Sequence, residues 1–202
     1  MNFRSKTVLG VGVVMYIASI PVTFLSSADA ATPKTYNAYT TGYSWYDNTP
    51  PGSATVSHPR KPGGKAGGSG TYSNPVTLAV GHSIINGKDI LDFPKGTKFY
   101  VPDVRKYFLV EDTCGDGPTP QNGPCHSLKT APSGVNVWLD LWIGGGSSTR
   151  KQADDCMSKV TDGNGAIHKA IKNPRSDYVV VKGDILYNGK CRAGYGNTAK
   201  VK

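Results

Sequence analysis

The sequence predicts a mainly β protein built from many short strands, and three observations carry that prediction. Glycine and proline number 25 and 14 among 202 residues, which suits strands joined by tight turns better than a helix bundle. Hydrophobic residues make up 38% and charged residues 18%. That is enough apolar content for a core and too little charge for a disordered polyelectrolyte. Runs rich in Val, Ile, Thr and Tyr recur between turn signals, and no sustained heptad is present. The length fits one domain.

The first strand is expected from Thr35 to Tyr46, TYNAYTTGYSWY, turning at Gly42. A long irregular loop, Asn48 to Gly70, follows, containing NTPPG, HPRKPGGK and GGSG; such loops are often binding surfaces. Val76 to His82 reads as a short apolar strand, and Asn86-Gly87 as a hairpin turn. Lys98 to Val101 and Tyr107 to Val110 are two more strands, joined through Pro102-Asp103. Val135 to Ile143, VNVWLDLWI, is an apolar strand with Asp140 in its middle. Ser148 to Val160 is the best helix, with Ser148 or Thr149 as its cap and Ala153, Cys156, Met157 and Val160 at helical spacing. Ile167 to Ile171 is expected to add a helical turn before Asn173-Pro174. Tyr178 to Val181 and Ile185 to Tyr187 close the chain as strands about a Gly183-Asp184 turn.

Residues 1–30 read as a secretory signal peptide. Arg4 and Lys6 form a basic start, an apolar stretch runs from Val8 to Leu25, and Ala28-Asp29-Ala30 offers small residues for cleavage after Ala30. An uncleaved membrane anchor is the rival reading, because the apolar run is long. No later stretch is long and apolar enough to span a bilayer, so a secreted single domain over residues 31–202, free of the membrane, is expected. The formal net charge of +9 favours anionic partners or serves solubility alone. No Lys/Arg run exceeds two residues, so nucleic-acid binding is not expected. The four cysteines, Cys114, Cys125, Cys156 and Cys191, contain no C-x-x-C pair, which leaves zinc and thioredoxin-type chemistry without support. Of three possible pairings, Cys114–Cys125 and Cys156–Cys191 are preferred because neighbours in sequence meet most cheaply.

Two carboxylates stand out by their neighbours. Asp112 lies where an apolar strand ends in a turn, FLVEDTCG, and Asp140 lies within VWLDLWIGG. Burial raises a carboxyl pKa and keeps the group protonated near neutral pH, as a general acid requires. Two such groups in one cleft push their proton affinities apart. A turn acceptor of backbone N–H groups is the other reading, most of all for Asp112. Strand alternation puts Trp138, Asp140 and Trp142 on one face, with Leu139, Leu141 and Ile143 on the other. Tyr43, Trp45 and Tyr46 cluster after Gly42. Exposed rings stack on sugars, and the same rings also fill the core of a small barrel, so both placements stay open. His58, His82 and His126 are scattered near turns and predict no metal site. Nucleotide and dinucleotide fingerprints and a serine-hydrolase elbow are absent, and no cofactor is expected.

The strings AYTTGYSWY, GTKFYVP, KYFLVEDTCGDG and WLDLWIGG, in that order, resemble the double-psi β-barrel superfamily over about Thr35 to Gly145. The resemblance is to its secreted members: three-aspartate wall-lytic domains, rare lipoprotein A-like proteins, expansins and family 45 endoglucanases. It implies a six-stranded double-psi β-barrel with short helices and a disulfide-bonded C-terminal extension. Asp112 matches the Asp of the Asp-Thr-Gly element, Asp140 the Asp of the apolar-Asp-apolar element, and Thr41 and Tyr43 the first-strand residues of the groove. The third Asp of the three-aspartate pattern is missing, since Gly144, Gly145 and Gly146 stand there and Asp154 and Asp155 fall on the expected helix. The expected protein is a secreted monomer acting on a wall polysaccharide of the peptidoglycan, chitin or glucan class. Asp140 and Asp112 would be catalytic, as in a hydrolase or lytic transglycosylase. Thr41, Tyr43, Trp45, Trp138 and Trp142 would hold the sugar. A non-catalytic, expansin-like glycan binder is the alternative, and a secreted effector that binds another protein is a third.

Overall fold

Six strands close into a barrel because each apolar run finds a partner on both edges. The computed structural model describes Met1 and residues 31–202; the expected signal peptide and its cleavage point lie outside the described residues. The barrel strands are β1 (Lys34–Tyr43), β2 (Val76–Val80), β5 (Lys98–Val101), β6 (Lys106–Thr113), β7 (Val137–Trp142) and β8 (His168–Lys172). Their order is β1-β7-β2-β6-β5-β8, closed on itself. The β1–β7 and β2–β6 pairs are parallel and the other four antiparallel. A closed barrel leaves no strand edge for another chain to pair with. Val76, Leu78, Val80, Phe99, Phe108, Val110, Leu139 and Leu141 fill one continuous core.

Two expectations fail at the first and last barrel strands. Gly42 does not turn the chain. It continues β1 in register with Leu141, and a Cβ there would sit 3.0 Å from Ile143 and 3.3 Å from Met157. The glycine is therefore the gap that lets helix α2 (Arg150–Asp162) cross β1, burying Ala153, Cys156 and Val160. Thr149 caps α2 in a full capping box with Gln152, satisfying two orphan N–H groups. The second failure is Ile167 to Ile171, which forms not a helical turn but the core of β8, between β1 and β5. A short segment bounded by left-handed Asn173 (φ 51°) and Pro174 is a poor helix, and two open ladders were waiting for it.

Between β2 and β5 a hairpin of β3 (His82–Ile85) and β4 (Lys88–Leu91) turns at Asn86-Gly87. Both turn residues have positive φ, 51° and 72°, as a type I′ turn demands. A four-residue helix, α1 (Pro124–Ser127), carries Cys125, and both expected disulfides are present, Cys114–Cys125 and Cys156–Cys191. The C-terminal strands differ from expectation. Tyr178 bridges only Val201, and the short strands β9 (Leu186–Tyr187) and β10 (Lys190–Cys191) turn at Asn188-Gly189. Two buried charges hold this tail on the β5–β6 corner. Asp103 accepts from Asn164 and from the backbone N–H groups of Gly194 and Gly196. Lys106 donates to the carbonyls of Val181 and Gly183, and burial holds its pKa down to about 8. No helix among the described residues is long and apolar enough to cross a membrane.

Candidate functional site

The two singled-out aspartates meet because β2 separates their strands. Asp112 on β6 and Asp140 on β7 are both register partners of Ala79, so their Cα atoms lie roughly 10 Å apart, two strand spacings. A bulge sharpens the placement. Val110 pairs with Leu78 and Asp112 with Ala79, which leaves Glu111 without a partner on β2. Such a bulge bends a strand and re-aims its side chains. Both aspartates line one open cleft of about 500 Å3, together with Thr41, Tyr43, Asp47, Ser57, Asp116 and Trp138.

Their environments differ. Asp112 is buried and accepts four hydrogen bonds. Tyr43 Oη donates to Oδ2 at 3.0 Å; Ser57 N, Ser57 Oγ and Thr113 N donate to Oδ1 at 3.0, 2.8 and 3.0 Å. A carboxylate so occupied is a fixed acceptor. Asp140 is half-buried and accepts one bond, from Thr41 Oγ1 at 2.7 Å. Thr41 is its register partner on β1 and itself accepts from Trp138 Nε1 at 2.8 Å. Indole, hydroxyl and carboxyl thus form one directed chain. Burial pushes the Asp140 pKa up to about 7; the Thr41 bond pulls it down, and Asp47 and Asp112 push it further up. Tyr43 is raised well above its ordinary value by burial and by the charges of Asp112 and Asp140, so its phenol stays a donor. Among the described residues no Lys, Arg or His lines the cleft, whereas Asp47, Asp112, Asp116 and Asp140 do.

The remaining expected residues divide. Trp138 lines the cleft half-buried, with Tyr39 edge-to-face at 4.5 Å. Trp142 is only 5% exposed and belongs to the core, its ring 5.2 Å from that of Tyr43. Trp45 packs against the core beside Gly146 and is not among the cleft-lining residues. The barrel therefore brings together Asp112, Asp140, Thr41, Tyr43 and Trp138, and takes Trp45 and Trp142 inward. Sequence reading missed Ser57, Asp47 and Asp116. Ser57 sits in the loop that the Gly/Pro-rich composition marked as a surface, but nothing local names Ser57 as the donor to Asp112.

That loop is held down by charge. Glu111, 3% exposed, pairs with Arg60 at 2.7 Å and accepts from Arg60 N at 2.9 Å and Thr77 Oγ1 at 3.0 Å. The bulge residue thus anchors the loop one residue away from the carboxylate the loop caps. The histidines pair with aspartates, His58 and His82 with Asp89 and His126 with Asp92. Among the described residues no group of three or more His, Cys, Asp or Glu is placed to hold a metal ion.

Comparison with known proteins gives a family match. The family described as DDB_G0273701 N-terminal domain matches residues 35–192, the barrel and most of the tail. An uncharacterized protein of Dictyostelium discoideum, DDB_G0273701/DDB_G0273221, is 32% identical over 132 residues, 64% of this chain and 47% of the relative. The chain thus spans about half the length of the curated relative it matches. No solved structure matches.

Proposed function

The chain belongs to the DDB_G0273701 N-terminal domain family, and we propose that it is a secreted double-psi β-barrel protein that cleaves a wall polysaccharide with Asp140 as general acid. The strand order with its two parallel pairs supports the barrel type. The two disulfides support an oxidising, extracellular setting. One observation carries the chemistry: a carboxyl group held at about 7 stands in an open cleft beside an indole ring and a second carboxyl group that accepts four hydrogen bonds.

Asp140 donates its proton to the glycosidic oxygen as the bond from that oxygen to the anomeric carbon breaks. Asp112 holds Tyr43 and Ser57 in place and places negative charge near the developing oxocarbenium ion. With three donors on Oδ1 and Tyr43 on Oδ2, Asp112 is held in one orientation and has little freedom to swing toward the anomeric carbon or a water. This favours closure of the ring by a hydroxyl of the same sugar. That hydroxyl attacks the anomeric carbon and returns its proton to the Asp140 carboxylate, leaving an anhydro-sugar end and a regenerated acid. Trp138 offers the apolar face for the sugar ring.

The test is mass spectrometry of soluble fragments from peptidoglycan, chitin, cellulose and β-glucan, with wild-type protein and Asp140→Asn, beside a pull-down on each polymer. Loss of a general acid is expected to cut release by about 10²–10⁴-fold while binding is kept. Binding without release by the wild type would establish the expansin-like, non-catalytic reading instead. No binding to any polymer would end both.

A further inference from the structure

Among the described residues, none of the hairpin β3–β4 lines the cleft, yet one of its side chains grips two segments that do. Asp89 on β4 is the register partner of Ile84, so it shares a face with His82, two residues before Ile84. Asp89 Oδ1 accepts from His82 Nδ1 at 2.6 Å, and Asp89 Oδ2 accepts from His58 Nε2 at 3.1 Å. His82, itself buried, reaches further: its Nε2 donates to the carbonyl of Gly115 at 2.8 Å. Burial pushes the Asp89 pKa up, but the bonds from His82 and His58 outweigh it and hold the carboxyl below its ordinary value. The junction is thus charge-assisted, and such bonds are about twice as strong as neutral ones.

Both arms end at the cleft. His58 follows Ser57, whose N and Oγ donate to Asp112 Oδ1 at 3.0 and 2.8 Å. Gly115 stands between Cys114 and Asp116, and all three line the cleft. The same two segments touch again where Thr49 Oγ1 donates to Asp116 Oδ2 at 3.3 Å.

We propose that Asp89 is a positioning residue for the cleft: through His58 and His82 it holds the loop that caps Asp112 beside the turn that carries Asp116, and so keeps water away from Asp140. The proposal rests on the general-acid reading of Asp140 and adds the group that keeps that acid covered. Asp140 owes its raised pKa first to burial, and Asn48, Thr49, Thr55, Val56 and Ser57 of the loop share its cleft. A slackened loop admits water beside Asp140 and lets the carboxyl fall back toward the ordinary range.

The test is the Asp140 titration, followed by carboxyl ¹³C NMR in the wild type, Asp89→Ala, His58→Ala and Lys88→Ala, with a melting temperature for each. Asp89→Ala is expected to lower the Asp140 midpoint by about one pH unit. His58→Ala, which cuts one arm, is expected to lower it by less, and Lys88→Ala, beside Asp89 on the same strand, to leave it unchanged. The alkaline limit of fragment release is expected to move down with the midpoint. A midpoint that stays at the wild-type value in both Asp89→Ala and His58→Ala overturns the positioning role and leaves the glycan reading standing. A shift as large in Lys88→Ala also overturns it, because any damage to the hairpin would then suffice. Should Asp89→Ala fail to fold, His58→Ala, at a partly exposed loop residue, decides alone. A lowered midpoint in a protein whose wild type releases no fragment from any polymer defeats the glycan reading and upholds the hold of Asp89 on Asp140.

Discussion

The role proposed for Asp140 rests on its having few hydrogen-bond partners. One hydroxyl touches it, three other carboxylates share its cleft, and its folded pKa of about 7 stands above an ordinary 3.8. The folded acid therefore binds its proton more tightly than the unfolded one. Between about pH 4 and pH 7 the folded state holds more protons, so stability falls as pH rises through that window. Asp140→Asn removes the penalty. Its melting temperature is expected to exceed that of the wild type at pH 8, by about 2–4 °C for each kcal/mol relieved, and to match it at pH 4. A thermal-shift series across pH reads this directly; a variant less stable at pH 8 would contradict it. Thr41→Val deletes the one bond that stabilises the ionised form. The Asp140 titration followed by carboxyl ¹³C NMR is expected to move upward in that variant, and a downward shift would remove Thr41 from the chain. The alternation of β7 was legible and placed Trp138 and Asp140 on the cleft side. Alternation reports a face and not a depth, which is why it also nominated Trp142, which the Tyr43 ring covers.

At the scale of elements, the site depends on an irregularity. The bulge at Glu111 lets the same stretch of β6 offer one carboxylate to Arg60 and the next to the cleft. Arg60→Ala strands a buried Glu111 and is expected to cost about 2 kcal/mol, the worth of a charge-assisted bond only partly screened by solvent. Denaturant unfolding measures it, and a change below about 0.5 kcal/mol would show that the loop is held by its backbone bonds alone. None of this was legible locally, because GluAsp at the end of an apolar run looks the same with or without a bulge. The same holds for β8. Its five residues lack the alternation that marks a half-buried strand, and only the unpaired edges of β1 and β5, far away in sequence, recruit it. Helix α2, in contrast, carried its own cap and spacing, and it formed within two residues of its expected ends.

For the whole molecule, the barrel converts distance along the chain into proximity. Asp140 and Thr41 are 99 residues apart and directly bonded. The six-stranded barrel was anticipated from the resemblance and the two disulfides from cysteine spacing, whereas the strand order and the tail were not. Its course follows Asp103 and Lys106, buried charges whose partners are mostly backbone atoms and leave no compositional trace. The measurement that bears most directly on the account is the pH–rate profile of fragment release from the polymer that proves susceptible. Under the proposed mechanism the protonated form of Asp140 acts, so release is expected to hold level below about pH 7 and to fall about tenfold for each further pH unit, with Asp140→Asn at background throughout. Release that persists undiminished to pH 9, or that survives in Asp140→Asn, would contradict it.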